Sequence, residues 1–280
     1  MKRINIKELT NIDKEYFLSV DETGQLIDGT STLYFAVNPY NDRSGVLKQN
    51  GCVLGVDNED LRERLASQIL NLCGVPCANI ELMIDDAGKH YCFSYNVLQE
   101  NEIHIQLPQV VIKQNDDKEK MFLDYMNEIF NSCNNLPNKS IEIKNRLLQI
   151  YFMDLIIDHY DRKLSNCKII YNKLTGEYKA PIAYDYGVAF NSNSHQKGDL
   201  YSYFTNEEIM YYMLKNYYKE LENTINNIFC ILTDENIDLI LNNEIYEALD
   251  IELIGNGIKN RVNQLQEIIF NLQNKNSLKI

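Results

Sequence analysis

The chain has 280 residues, 45% of them hydrophobic, and a formal net charge of −13. That length and apolar content suit one domain of two lobes, or two small domains, and exclude a disordered chain. The acidic balance argues against nucleic acid as a direct partner, which needs a concentrated basic face, and no apolar run reaches the roughly 20 residues that span a bilayer.

The opening MKRINIKELTNIDKEYF is basic at first but lacks the apolar stretch of a secretory signal, so a cytoplasmic location is expected. STLYFAV (31–37) and GVLKQ (45–49) read as strands. DNEDLRERLASQILNLCGVP (57–76) reads as an amphipathic helix. Leu61, Leu65, Ile69 and Leu72 recur at helical spacing, Asn58 is placed to cap, Gly74 fits the position just past the end, and Pro76 follows. CANIELMI (77–84) and HYCFSYNVL (90–98) are two more strands, joined by the turn signal DDAG. Residues 1–98 are therefore expected to form a mostly β N-terminal lobe with one helix, and 99–280 a mostly helical C-terminal lobe.

Helices are predicted over KEKMFLDYMNEIF (118–130), SIEIKNRLLQIYFMDLIID (140–158) and the periodic stretches between 206 and 273. SYFTNEEIMYYMLKNYYKELEN (202–223) is expected to pack on the helical lobe, with a partner-binding face as the alternative. CKIIY (167–171) and EYKAPIAY (177–184) interrupt the helical pattern as two short strands around a Gly-containing turn. The expected fold class is α+β, two-lobed, with a ligand cleft between the lobes. The seven cysteines, 52, 73, 77, 92, 133, 167 and 230, include no CxxC and read as reduced core residues. His90, His104 and His195 are isolated and give no zinc-ligand spacing.

The chemistry concentrates after the apolar run IYFMDLII (150–157), where DHYDRKLSN (158–166) begins. From His159 the spacing is H-x-D-x-x-x-x-N, as in the protein-kinase catalytic loop. A phosphoryl acceptor hydroxyl needs a carboxylate to orient it, and the departing phosphates need Mg²⁺ held by a carboxylate and an amide oxygen. Asp161 is the candidate for the first task. Asn166 and Asp185 are the candidates for the second, Asp185 lying in YDYG (184–187) after the second short strand. Gly187 is expected to let the backbone turn there. Lys48 in GVLKQ is the candidate phosphate-contacting cation, with Lys113 as competitor, and Glu63 in the helix its expected partner, with Glu59 and Asp60 as competitors.

With these residues in place the chain resembles the HipA-like serine/threonine kinases, a family with a protein-kinase-like fold known from toxin–antitoxin systems. The Leu-rich helix ending in Gly-Val-Pro, the D-x-x-x-x-N of Asp161 and Asn166, and PIAYDYG are the similar segments, spanning roughly residues 30–190. The resemblance implies ATP and Mg²⁺ as cofactors, a protein substrate, and an antitoxin or regulatory protein as a further partner. DGTST (28–32), with Gly29, Thr30 and Ser31, is the best candidate for covering the phosphates; neither GxGxxG nor GxxxxGK[ST] occurs. Ser31, Thr30 and Thr32 are also candidate autophosphorylation sites.

Other residues keep two readings. Asp154 and Asp158 are either extra metal ligands or structural acids at the helix end. His159 is expected to support the loop by hydrogen bonding rather than act as a base. Arg162 and Lys163 either contact the transferred phosphate or balance Asp158 and Asp161. The alternatives to a protein kinase are a nucleotide-binding pseudokinase acting through a partner and a small-molecule phosphotransferase.

Overall fold

The computed structural model describes residues 2–4, 33–38, 40–51, 56–108, 110–134, 136, 139–190, 198 and 200–275; the candidate loop residues Gly29, Thr30, Ser31 and Thr32, together with Cys52 and His195, lie outside them. The architecture is α+β. One sheet has the order β1-β4-β5-β3-β2, from β1 (Lys2–Ile4), β2 (Leu33–Val37), β3 (Ser44–Gln49), β4 (Ile80–Asp85) and β5 (His90–Tyr95). Helix α1 (Glu59–Leu72) packs on β4 and β5. A smaller sheet joins β6 (Glu102–Ile105), β7 (Ile169–Asn172) and β8 (Tyr178–Lys179). The helices α2 (Lys118–Asn134), α3 (Ser140–Ile156), α4 (Asn206–Ile231), α5 (Asp234–Leu241) and α6 (Ile251–Asn274) pack mainly on one another.

Strand alternation sets which residues face α1. Leu47 pairs with Phe93, and both join Met83 and Tyr91 in a small apolar cluster on one face of the sheet. The next position pairs Lys48 with Cys92, and Cys92 with Leu82, which packs in the same cluster as Leu61, Leu65 and Ile69 of α1. Lys48 therefore lies on the α1 face because side chains alternate along a strand.

Both helices that lead to the site end on a left-handed residue. At the end of α1, Gly74 has φ 78°, Gly74 N–H donates to Asn71 O and Val75 N–H to Leu70 O, satisfying two terminal carbonyls. At the end of α3 the same role falls to Asp158, φ 57°, with His159 N–H donating to the Asp154 carbonyl. The expected cap of α1 is different: Asn58 is itself left-handed, makes no side-chain cap, and donates Nδ2 to Ala248 O. Asn50 Oδ1 accepts the Glu59 N–H instead.

Two further differences have physical causes. The strand expected over 177–184 is only Tyr178–Lys179, because Pro181 has no N–H to continue the ladder. The long periodic stretch begins at Asn206, where Thr205 and Glu208 form a reciprocal capping box. Its helix α4 packs on α2, α3 and α6.

Candidate functional site

Four segments converge. From the sheet, Lys48 extends its side chain toward α1 and remains 14% exposed. From α1, Glu63 places Oε2 3.6 Å from Lys48 Nζ. From the segment after β8, Asp185 places Oδ1 3.0 Å from the same ammonium. Asn166 donates Nδ2 to Asp185 Oδ2 at 3.0 Å, and the Asp185 N–H donates to Glu63 Oε1 at 3.1 Å. One cation, two carboxylates and one amide form a closed network drawn from residues 48, 63, 166 and 185.

Local backbone explains the placement. The loop after α3 runs extended to a single 3-10 turn, Leu164–Asn166, with Asn166 N–H donating to Lys163 O. Ala183 is pinned to the link between α1 and β4 through Ala183 N–H to Pro76 O and Ala78 N–H to Ala183 O. Asp185 then takes φ 66°, an uncommon left-handed conformation for a residue with a side chain. The bend expected at Gly187 thus falls on Asp185; Gly187 has no left-handed φ. A Cβ there would lie 3.4 Å from Lys48 Nζ and 3.4 Å from Glu59 Cβ, ordinary contact distances, so Gly187 borders the network closely.

The electrostatics follow from contact and burial. Lys48 beside Asp185 holds that carboxyl down to about 2, against the opposing effect of burial. Burial works against the Lys48 ammonium, but Asp185 and Glu63 outweigh it and hold its pKa well above the usual value. Burial pushes the Glu63 carboxyl up while Lys48 pulls it down. The Asp185 side chain is 41% exposed, so this carboxylate can be reached from solvent.

Two competitors for these roles, Asp60 and Lys113, are placed elsewhere. Asp60 faces His90 at 3.7 Å, and Lys113 pairs with Glu128 on α2 at 2.7 Å. Among the described residues no ion pair joins Asp60 to Lys48. Asp161 lies in the loop with Lys163 Nζ 3.0 Å from its Oδ1.

The structure corrects two expectations about the loop, for Arg162 and His159, and decides a third reading, for Asp158, in favour of a structural acid. Arg162 balances neither Asp158 nor Asp161 and reaches no solvent. It is fully buried and donates Nε and Nη2 to the two oxygens of buried Asp154 at 2.8 and 3.1 Å. Asp158 pairs with Arg261 from α6, which removes it from the candidate metal ligands. His159 supports the loop by packing, its ring 4.8 Å from that of Tyr186, and neither ring nitrogen has a hydrogen-bond partner among the described residues. Burial keeps this imidazole neutral, holding its pKa well below the usual value.

Sequence reasoning passed over two residues near the site. Arg62, next to Glu63, donates Nη1 to the carbonyls of Ala189 and Phe190 at 3.0 and 2.9 Å and so ties α1 to the segment after Asp185. Its position beside Glu63 is a signal that could have found it. Lys168, two residues after Asn166, puts Nζ 6.0 Å from the centroid of the Tyr184 ring. Burial lowers its pKa, with Asp185 opposing.

The chain matches no protein-family profile and no curated protein sequence. Solved structures match its fold. The Helicobacter pylori proinflammatory kinase CtkA superposes with a TM-score of 0.63 at 15% identity, over 88% of this chain and 98% of that one. HipA of Shewanella oneidensis, solved with HipB and its operator DNA in a toxin–antitoxin system, superposes with a TM-score of 0.55 at 12% identity. That match covers 87% of this chain, which spans 65% of the HipA chain. The fold is that of the HipA-like kinases.

Proposed function

We propose that this protein is a kinase that uses ATP and Mg²⁺ to phosphorylate a serine or threonine hydroxyl of another protein. Its N-terminal ATP-binding lobe would be residues 1–98 and its C-terminal catalytic lobe 99–280. The observation that carries the proposal is the network in which Lys48 bridges Glu63 and Asp185 while Asn166 holds the other Asp185 oxygen. Each is the residue type, on the element type, that phosphoryl transfer from ATP requires.

The residues fit the expected metal. Asp185 and Asn166 supply hard oxygen donors, and Asp185 is held ionised by Lys48. Mg²⁺ keeps waters and binds substrate phosphates as well, so two protein ligands suffice. No group of three or more acidic, His or Cys ligands occurs among the described residues. Bound Mg²⁺ would offset negative charge on the phosphates.

The chain's own groups have separate tasks. Lys48 contacts the ATP phosphates and Glu63 fixes its direction. Asp161 orients the acceptor hydroxyl and takes its proton as the new oxygen–phosphorus bond forms and the bond to the ADP oxygen breaks. Gly29, Thr30 and Ser31 would cover the phosphates.

The HipA of Shewanella is bound to HipB, and an antitoxin-like regulatory protein is accordingly the proposed partner here. The net charge of −13 argues against direct nucleic-acid contact. No helix among the described residues is long and apolar enough to cross a membrane, and we place the protein in the cytoplasm.

The test is transfer of label from γ-labelled ATP to protein and peptide acceptors, with a parallel panel of small cationic alcohols. Asp161→Ala should cut transfer by about 10²–10⁴-fold, the range for loss of a general base, and leave nucleotide binding unchanged. Full transfer by Asp161→Ala would refute its role. Transfer to small alcohols alone would make the protein a small-molecule phosphotransferase, and binding without transfer a pseudokinase.

A further inference from the structure

We propose that Arg162 is the positioning residue that holds Asp185 in its left-handed conformation and fixes it against the loop carrying Asp161. This rests on the phosphoryl-transfer assignment of the site. Arg162 follows Asp161 directly, yet its side chain is turned inward and wholly enclosed. It therefore cannot touch a substrate or a phosphate. Its guanidinium instead meets the chain on both sides of Asp185. Nη1 donates to the Tyr184 carbonyl at 3.1 Å, and the guanidinium carbon lies 4.7 Å from the centroid of the Tyr186 ring.

The guanidinium is oriented from the opposite side by the two-pronged pairing with Asp154 near the end of α3. A planar fork that donates in two directions at once fixes geometry that a point charge cannot. The backbone is held as well. A Cβ on Gly198 would come 2.0 Å from the Arg162 carbonyl oxygen, and Gly198 N–H donates to Tyr160 O at 2.6 Å.

The two flanks of Asp185 are thus tied to Arg162, and its own N–H to Glu63. These ties hold the φ of 66° that turns the carboxylate toward Lys48 and Asn166. A buried ion pair contributes little net stability compared with apolar side chains of similar volume. Its effect on position can therefore be separated from its effect on stability.

The experiment uses two variants of the full chain, Asp154→Leu with Arg162→Met, and Arg162→Lys. The first removes both buried charges at similar volume; the second keeps a cation facing Asp154 but not the fork. Three quantities are measured: thermal stability, hydrogen exchange of the Asp185 amide in the metal-free protein, and binding of Mn²⁺ with a non-hydrolysable ATP analogue. The double variant should melt within a few degrees of wild type. Both variants should exchange the Asp185 amide about tenfold faster and bind the Mn²⁺–nucleotide about tenfold more weakly.

Wild-type exchange and affinity in either folded variant would overturn the assignment. If neither variant folds, Arg162 serves stability and the assignment falls too. A wild type that binds no Mn²⁺–nucleotide would refute the kinase assignment, while the exchange comparison would still decide the role of Arg162.

Discussion

Replacing Lys48 with Met removes the only cation paired with both Glu63 and Asp185 among the described residues. The two carboxylates lie 3.6 and 3.0 Å from its nitrogen, distances at which unit charges interact by about 4.6 and about 5.5 kcal/mol at an effective dielectric of 20. Most of that is offset by the cost of desolvating the charges. Removing one partner of a buried pair costs about 3–5 kcal/mol; Asp185 is 41% exposed and recovers hydration, so we take about 3 kcal/mol at pH 7.5.

The loss depends on pH, and its sign follows from proton binding. In wild type the Asp185 pKa is depressed to about 2, below its unfolded value, so its stabilisation is full above about pH 4 and fades as pH falls toward 2. Without Lys48 that stabilisation disappears. Glu63 already has a raised pKa from burial, and it loses the cation that opposed the rise. Its folded form then holds a proton that the unfolded form releases above about pH 4.5, so the variant loses stability as pH rises through the raised value. Urea melts of Lys48→Met and wild type between pH 4 and 8 should show a difference already present at pH 4, where the Asp185 contribution is full, growing to about 3 kcal/mol at pH 7.5 as Glu63 ionises, with unchanged denaturant slope. A difference constant over that range, or none at pH 7.5, would refute the electrostatic account of the site.

Gly74→Ala places a side chain at φ 78° with its Cβ 2.9 Å from Asn227 Nδ2, and should destabilise by about 1–2 kcal/mol in the same urea assay. Arg62→Met removes the two bonds to the Ala189 and Phe190 carbonyls; faster hydrogen exchange across 186–190 should accompany weaker nucleotide binding, and unaltered exchange there would exclude Arg62 as the tie. Burial pushes the thiols of Cys73 and Cys77 up to about 12, whereas Cys230 is exposed. A thiol reagent at pH 8 should label Cys230 in the folded protein and reach Cys73 and Cys77 only on unfolding, as peptide mass spectrometry can read.

Much of the fold was legible because local rules and tertiary packing agree. The strands around 33–37, 44–49, 80–85 and 90–95 and the helix ending at Leu72 follow alternation, periodicity and the Gly74 stop. Asn166 and Asp185 stood out by motif spacing, and their side chains meet at 3.0 Å, but Asp185 is set by distant partners, Lys48 and Glu63, that spacing does not reveal. Pairings across the chain were not legible. Nothing within residues 154–162 distinguishes Asp154 from Asp158 as the partner of Arg162; the choice is made by packing, which encloses Asp154 and offers Arg261 to Asp158. Strand β6 escaped notice because EIHI is only four residues long and acquires its partner, β7, from residues 169–172. β1 likewise depends on a distant parallel partner, β4. Asn58 failed as a cap because its left-handed backbone turns the side chain toward Ala248.

The most direct test of the central claim is thermal melting with ATP, with and without Mg²⁺, on wild type and Asp185→Asn. At about 100 times Kd, bound nucleotide should add roughly 2.7 kcal/mol, or about 5 °C for a chain of this size. The account predicts a rise of that order in wild type, abolished by EDTA and absent in Asp185→Asn. No Mg²⁺-dependent rise in wild type, or an equal rise in Asp185→Asn, would contradict it.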